Sequence, residues 1–174
     1  MAHELPSDID YRRLLADGVA LRGTVGMSRF SRVGPPLRLA GETRAELALE
    51  RREDGEIVAR GEFSAPMEAQ CQRCLEWMAL SIEGRFALVL RDPAVVRPAA
   101  QEDADEDDYV EAPDGRLGVV ELIEDELLLA CSMVPLHERG PCADRAARDA
   151  AREERHRPFA GLGALLGADG PGKD

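Results

Sequence analysis

Four residues have types and a spacing that suit metal-binding chemistry. Cys71 and Cys74 form a C-x2-C pair, and His137 and Cys142 follow much later as an H-x4-C pair. Three thiolates and one imidazole are donors that tetrahedral zinc accepts. The long separation between the two pairs requires only that the chain after the intervening helix return to Cys71 and Cys74. These four residues are therefore the candidate metal site, and the cofactor that they indicate is structural zinc.

Two other interpretations of the same residues stay open at the level of the sequence. The cysteines fit buried or free thiols without metal, and a C-x-x-C pair also occurs in redox proteins. No βαβ pattern flanks Cys71 and Cys74, and no helix clearly starts there to lower a thiol pKa, so redox use is the least favoured. Cys131 lies at an apolar position of a helical pattern, which favours core packing.

Evidence for catalysis is absent from the sequence. Cys74 and His137 can be imagined as a nucleophile and its base, but no oxyanion element or third residue is recognisable. The glycine-rich end at residues 161–172 does not follow a strand, as a phosphate-binding loop would. We predict that the chain is not an enzyme and has no small-molecule substrate; a thiol- or metal-dependent enzyme using Cys71 and Cys74 is the alternative.

Strand-like segments position the C-x-x-C pair. Apolar and polar residues alternate at 57–70 and again at 80–90, on either side of the cysteines. Such a period of two predicts two antiparallel strands, which places the pair at a strand-to-strand connection. Earlier stretches at 19–33 and 43–51 also alternate, and Asp54-Gly55 is a turn pair of the kind that closes hairpins.

A helix is predicted over residues 117–131, and it has to return His137 and Cys142 to the cysteine pair. Its apolar residues recur at helical spacing, so one face packs on the sheet and Glu121, Glu124 and Asp125 face water. The predicted fold class is α+β: an antiparallel, barrel-like β-sheet of about five or six strands over 19–91, with one main packed helix and a short C-terminal segment.

The domain organisation follows from composition. Residues 1–18 are predicted as an N-terminal helical lead-in, with a helix at 8–17 capped by Ser7 or Asp8. Residues 19–143 form a single α+β domain, and 144–174 form a charged tether and C-terminal tail. The net charge of −12 is concentrated between residues 101 and 132, where Arg116 is the only basic side chain. An acidic loop at about 97–115, rich in Pro and Ala, has little to bury and is predicted to be mobile.

An arginine-rich stretch is the candidate RNA-binding surface. An acidic protein is not expected to bind nucleic acid broadly and without specificity, but a local basic patch can still contact phosphates. The alternative is that these arginines are ordinary solvent-facing charges of strands. The candidates are Arg22, Arg29, Arg32, Arg38 and, within the C-x-x-C pair, Arg73.

The chain is expected to stay in the cytoplasm. No segment approaches the roughly 18 consecutive apolar residues of a membrane span. The first residues lack the charged-then-apolar pattern of a signal peptide. In the cytosol thiols are kept reduced, which favours metal binding or buried thiols over structural disulfides.

Three stretches together resemble one protein family. Cys71-Gln72-Arg73-Cys74-Leu75-Glu76 matches a C-x-R-C-L/M-E motif. Residues 123–130, followed by Val134-Pro135-Leu136-His137 and Cys142, match a second block. Arg157-Pro158-Phe159-Ala160 with Leu162 is similar to a closing N-P-F-A-x-L signature. The family is YceD, the large ribosomal RNA subunit accumulation proteins, and the resemblance runs from about residue 9 to 167.

The resemblance implies a function that the residues alone do not. It implies a cytosolic, non-enzymatic factor that supports accumulation or processing of the large-subunit (23S) ribosomal RNA, and hence ribosome biogenesis. The implied partner is ribosomal RNA or the pre-ribosomal large-subunit particle, bound directly or through a protein. A protein-interaction module without RNA contact is the remaining alternative. No catalytic residues are implied.

Overall fold

The structure is a computed structural model that describes residues 3–18, 20–95, 108–137 and 142. Its strands are β1 (Asp8–Asp10), β2 (Leu21–Val25), β3 (Leu37–Leu39), β4 (Thr43–Arg51), β5 (Ile57–Gln70), β6 (Trp77–Arg91), β7 (Tyr109–Glu111) and β8 (Arg116–Gly118). The helices are α1 (Tyr11–Asp17) and α2 (Val119–Ala130), and short 3-10 turns lie at Met27–Arg29 and Pro113–Gly115. Within these described residues no helix has the length and apolarity needed to cross a membrane.

The central sheet is built around the β5–β6 hairpin. These strands pair antiparallel from Val58 opposite Val89 to Gln70 opposite Trp77. On the other edge of β5, β4 and then β3 pair antiparallel, and β2 pairs with β4. β7 lies parallel to the end of β6. The predicted α+β class with an antiparallel, barrel-like sheet is confirmed, because the sheet curls into a half-barrel.

Two glycine–phenylalanine pairs allow the sheet to curl. Gly61 lies opposite Phe86 and Gly84 lies opposite Phe63 in the β5–β6 register. Each ring covers the glycine across from it: a Cβ at Gly61 would lie 2.3 Å from Phe86 Cζ, and a Cβ at Gly84 would lie 2.3 Å from Phe63 Cζ. Glycine kinks covered by aromatic rings are a known way to curve a sheet and fix its register.

Helix α2 packs on the inner face of this curved sheet. The inward residues of β5 are almost fully buried and include Ala59, Phe63 and Met67, as their alternation predicts. They share one core cluster with Ile123 and Leu127 of α2. Burying a large apolar side chain stabilises a fold by about 1.5–3 kcal/mol, so this contact contributes several kcal/mol to the stability of the domain.

The N-terminal segment, which the sequence predicts as a helical lead-in, contributes side chains to the core. Leu5 and Tyr11 are buried in the main cluster. β1 pairs with β8, and Ser7 O accepts a hydrogen bond of 2.8 Å from Val119 N–H at the start of α2. Helix α1 begins later than predicted because the Asp10 carboxylate accepts from two backbone N–H groups of the first turn and is the N-cap.

The C-terminal part of the predicted acidic loop has regular structure in the described residues. Tyr109–Glu111 form β7, and Ala112 is fully buried. Helix α2 begins at Val119 and not at residue 117 as predicted, because Arg116–Gly118 pair with β1. Residues 96–107, which hold most of the predicted acidic loop, lie outside the described residues. The predicted tether and tail at 144–174 lie outside them as well.

Candidate metal centre

The turn between β5 and β6 presents the two cysteines of the C-x-x-C pair. β5 ends at Gln70, and the turn at 71–76 is closed by Cys71 N–H donating to Glu76 O at 2.9 Å. A second bond of 2.8 Å runs from Leu75 N–H to Cys71 O. Both Cys71 and Cys74 are buried. The hairpin end therefore points both thiols to one side, at the strand connection that the alternation predicts.

The loop after α2 returns to this turn, as the ligand spacing requires. Gln72 N–H in the turn donates to Pro135 O at 2.9 Å and so joins the two loops. Two residues further on, His137 Nδ1 lies 3.4 Å from Cys74 Sγ. Cys142 Sγ lies 3.3 Å from the same His137 nitrogen. The sequence-predicted ligands come from two distant parts of the chain, and the structure brings all four together.

The four donor atoms lie within 4.8 Å of one another. Cys142 Sγ is 3.4 Å from both Cys71 Sγ and Cys74 Sγ, and all of these cysteines are free. A disulfide needs about 2.05 Å between its sulfurs. Zinc–sulfur bonds of about 2.3 Å at tetrahedral angles leave sulfurs about 3.8 Å apart, near the separations found here. The residues therefore fit a tetrahedral metal ion, with three sulfurs and one imidazole as ligands.

The electrostatics of the cluster differ between its cysteines. Burial acts to raise the pKa of Cys71, but the backbone N–H groups of Cys74, His137 and Arg73 outweigh it and lower this pKa to about 5. Burial and the neighbouring thiols Cys71 and Cys74 raise the pKa of Cys142 to about 11. Backbone N–H groups directed at a sulfur stabilise the thiolate, which is the form of cysteine that binds metals.

The fourth cysteine is separate from this cluster. Cys131 is half-buried at the end of α2 and packs against the main core, with its Sγ 3.8 Å from Met67 Sδ. Burial raises the pKa of Cys131 above its ordinary value, which keeps the thiol neutral. Its position agrees with the packing role that the helical pattern favours.

Two of the five arginines predicted to bind RNA are engaged in the fold. Arg29 reaches back to the N-terminal segment, where it pairs with Glu4 at 3.1 Å and donates to Ser7 Oγ at 2.7 Å. Arg32 pairs with Glu124 at 3.2 Å and with Asp125, and it donates to a backbone carbonyl of α2. Both side chains therefore hold elements together.

Glu124 does not lie on the wet face of α2 as predicted. It is only 2% exposed, and its Oε1 accepts from the backbone N–H groups of Arg32 at 2.5 Å and Val33 at 3.2 Å. A helical pattern predicts which face of α2 is apolar. It does not show that the loop between β2 and β3 covers a carboxylate on another face of the helix. Glu121 is exposed, as expected.

The other three arginines have exposed side chains, although Arg22 and Arg38 also form ion pairs. Arg22 is paired with Glu46 at 2.7 Å, but 74% of its side chain is exposed. Arg73 is exposed at the tip of the β5–β6 hairpin. Arg38 pairs with Glu68, and its guanidinium lies 4.1 Å from the centroid of the Trp77 ring.

The Arg38–Trp77 stack is a feature that sequence reasoning missed. β3 pairs with β5 and Trp77 lies opposite Gln70, so both residues flank the same end of β5. The presence of the chain's only tryptophan directly after the C-x-x-C motif was the one signal for it. A stacked cation and a partly exposed indole can accept a further flat group or a phosphate.

Comparison with known proteins places the chain in one family. A family model described as large ribosomal RNA subunit accumulation protein YceD matches residues 59–166, which is well over half of the sequence. The chain belongs to the YceD family. No curated protein and no solved structure matches the chain.

The YceD match contains the entire candidate metal centre. It begins within β5, continues through the hairpin and α2, and includes Cys71, Cys74, His137 and Cys142. The strands β1 to β4 precede the matched region. The part of the chain that carries the YceD likeness is therefore the part that carries the cysteine–histidine cluster and the helix that returns to it.

Proposed function

We propose that this chain is a cytoplasmic, non-enzymatic ribosome biogenesis factor that supports accumulation of the large-subunit (23S) ribosomal RNA. The observation that carries the proposal is the YceD family match over residues 59–166, because the family is described by its role in accumulation of that RNA. The partner is ribosomal RNA or its precursor large-subunit particle. The factor acts by binding, without a small-molecule substrate.

The metal centre has a structural role in this proposal. Zinc held by Cys71, Cys74, His137 and Cys142 would supply a closed tetrahedral link between the hairpin tip and the loop after α2. Burial supports this over catalysis: Cys71 is fully buried and Cys142 is 2% exposed, so a substrate cannot approach either sulfur. A catalytic zinc site keeps a position open, and four protein ligands leave none.

The RNA contact is assigned to the accessible arginines. Arg22, Arg38 and Arg73 have exposed side chains, whereas Arg29 is only 21% exposed and Arg32 is fixed to α2 through Glu124, Asp125 and the Glu121 carbonyl. Arg38 lies over the Trp77 ring near the end of β5, and Arg73 lies in the turn that follows this strand and carries Cys71 and Cys74. Removing a phosphate contact weakens binding about evenly across sequences and reduces its salt dependence.

The decisive experiment measures ribosomal RNA in cells that lack the protein. Deleting the gene in its source organism is expected to lower the ratio of 23S to 16S RNA and the large-subunit peak in a sucrose gradient. The wild-type gene and the Cys131→Ser variant should restore both, whereas Cys71→Ser should not. An unchanged 23S to 16S ratio in the deletion strain would overturn the proposed function.

Crosslinking in cells separates direct RNA binding from a protein-interaction role. Ultraviolet crosslinking followed by sequencing is expected to enrich 23S RNA fragments with the wild-type protein. Enrichment should fall for Arg38→Ala and Arg73→Ala, with the outer-face variant Arg85→Ala as the control. If the wild-type protein restored 23S RNA but enriched none above background, it would act through a ribosomal protein and not through direct RNA contact.

A further inference from the structure

Four exposed apolar side chains lie on the two loops that carry candidate metal ligands. Met133 is 97% exposed, Val134 60%, Leu75 55% and Leu136 41%. The Gln72–Pro135 hydrogen bond joins the turn that carries Leu75 to the loop that carries the other three. We refer to these four side chains as the knuckle apolar patch. Single exposed apolar residues are ordinary, whereas four on two joined loops form a candidate binding surface.

The backbone at Leu75 strengthens this inference. Its φ is +63°, in the left-handed region that glycine or asparagine adopts more readily than leucine. The turn holds it there through Leu75 N–H to Cys71 O at 2.8 Å and through Gln70 Nε2 donating to Leu75 O at 2.9 Å. An exposed leucine in a strained backbone conformation makes few stabilising contacts with the described residues. Its side chain is therefore better explained by a contact with a segment or partner outside them.

The chain itself supplies a segment that fits this surface. Cys142 lies in the cysteine–histidine cluster, so the chain after it starts beside the patch. A charged stretch follows at 144–157, and then come apolar residues: Phe159, Leu162, Leu165 and Leu166. The chain from Cys142 to Phe159 can span roughly 55 Å when extended, far more than the patch requires. The YceD match runs to residue 166 and so includes this apolar segment.

We propose that residues 158–166 dock on the knuckle apolar patch, with Phe159 as the aromatic anchor beside Leu75 and Met133. A covalently tethered segment has an effective concentration in the millimolar range, so even a weak apolar contact is populated. The docked segment would cover the outer side of the metal centre. This docking depends on neither RNA contact nor enzymatic activity.

Photo-crosslinking in the purified full-length protein tests this proposal. Met133 is replaced by p-benzoyl-phenylalanine, and an equal mixture of ¹⁴N- and ¹⁵N-labelled protein is irradiated. The expected product is a crosslink within one chain from position 133 to a peptide that contains 158–166. The same photo-reactive residue in place of Arg85, whose side chain is 87% exposed on β6, is the control and should give no such product.

Other products would overturn the proposal. Mixed-isotope crosslinks as the main product would mean that a second copy covers the patch. Intrachain crosslinks only to peptides outside 158–166, or no crosslink at all, would mean that the segment does not bind there. Metal content and circular dichroism are recorded for each protein, so that a misfolded variant is not mistaken for a negative result.

Two substitutions make the test specific. Phe159→Ala should lower the crosslink yield by about tenfold or more, as loss of an aromatic anchor does, whereas Arg155→Ala in the charged stretch should leave the yield unchanged. Leu75→Gly relieves the backbone strain but removes the side chain, so it should keep the fold and still lose the crosslink. An unchanged yield in both Phe159→Ala and Leu75→Gly would contradict the docking.

Discussion

The backbone N–H of Arg32 donates to Oε1 of Glu124 at 2.5 Å, and the Arg32 Nε donates to Oε2 of the same carboxylate at 3.2 Å. The loop after β2 is thereby fixed to the middle of α2, although the two residues are far apart in sequence. Glu124 is almost fully buried, so its charge has no water to solvate it. A buried carboxylate of this kind depends on its partners.

Replacing Glu124 by alanine should destabilise the domain by about 3–5 kcal/mol, because Arg32 and two backbone N–H groups lose their acceptor. Glu124→Gln should cost less, about 1.5–3 kcal/mol, since the amide oxygen still accepts one bond. Urea denaturation followed by circular dichroism measures both. Glu121→Gln on the exposed face of the same helix is the matched control. Equal stability of Glu124→Ala and Glu121→Gln would show that the carboxylate is solvated.

This pair also shows where sequence reasoning reaches its limit. The period of two predicted β4, β5 and β6 and their antiparallel order, because each strand has one face in water and one in the core. The four residues of the candidate metal site could be singled out because a C-x2-C pair and an H-x4-C pair have spacings typical of zinc ligands, but the sequence left buried thiols and redox use open. The pairing of Arg32 with Glu124 was not predictable, since a loop of no regular pattern brings it about.

Pairing between distant parts of the chain also explains why β1, β7 and β8 were not predicted. β1 and β8 have three residues each, too few for a pattern, and they pair across most of the chain. β7 was assigned to an acidic loop because its surroundings are acidic, yet Val110 contributes to the core. A short strand is stabilised by pairing with another strand, and a local stretch of sequence does not contain that second strand.

The glycine–phenylalanine pairs predict a steric cost that is specific to position. Gly84→Ala places a Cβ 2.3 Å from Phe63 Cζ, so the ring has to move within a packed core. We expect a loss of about 1–3 kcal/mol in the free energy of unfolding. Combining Gly84→Ala with Phe63→Leu should cost less than the sum of the two single changes, because the clash is then removed.

Gly34→Ala is the control for this prediction. Nothing lies within 4 Å of a Cβ built at Gly34, and its φ is not positive, so alanine should be neutral or slightly stabilising there. Denaturant midpoints of the wild type and the four variants give the comparison. If Gly84→Ala and Gly34→Ala behaved alike, the ring would not cover the glycine in solution.

Glu126 predicts a pH-dependent effect on stability. Partial burial, followed by the nearby charges of Asp108 and Asp125, raises the pKa of Glu126. A carboxyl group with a raised folded pKa stabilises the fold below its unfolded pKa, and this contribution is lost as the pH rises through the folded pKa. Glu126→Gln should therefore be more stable than wild type at pH 7 by about 0.5 kcal/mol or less, given solvent screening.

The advantage of Glu126→Gln should disappear on acidification below about pH 4, where the glutamate is protonated in both states. Thermal unfolding from pH 3 to pH 8 measures the difference between the two proteins. Glu83→Gln, at an exposed position of β6, controls for the loss of one negative charge. A stability difference that did not change with pH would assign the effect of Glu126→Gln to packing or helix propensity.

The candidate metal centre leads to a prediction about both the zinc content and the stability of the protein. Protein purified without added metal should contain about one zinc per chain by elemental analysis, as four protein ligands to one ion imply. Cys74→Ser and His137→Ala should lower this ratio, whereas Cys131→Ser should not, because Cys131 packs against Met67 in the main core. A strong chelator should lower the melting temperature of the wild type and change that of Cys74→Ser little.

The size of the chelator effect depends on how tightly the ion is held. Binding to the folded state alone stabilises it by about 4 kcal/mol when free zinc exceeds its dissociation constant a thousandfold. Removing the ion should also speed hydrogen exchange at Gln72 N–H, whose bond to Pro135 O joins the two loops that the ligands bring together. A zinc ratio near zero in soluble, folded wild-type protein would instead establish the cluster as a set of buried thiols.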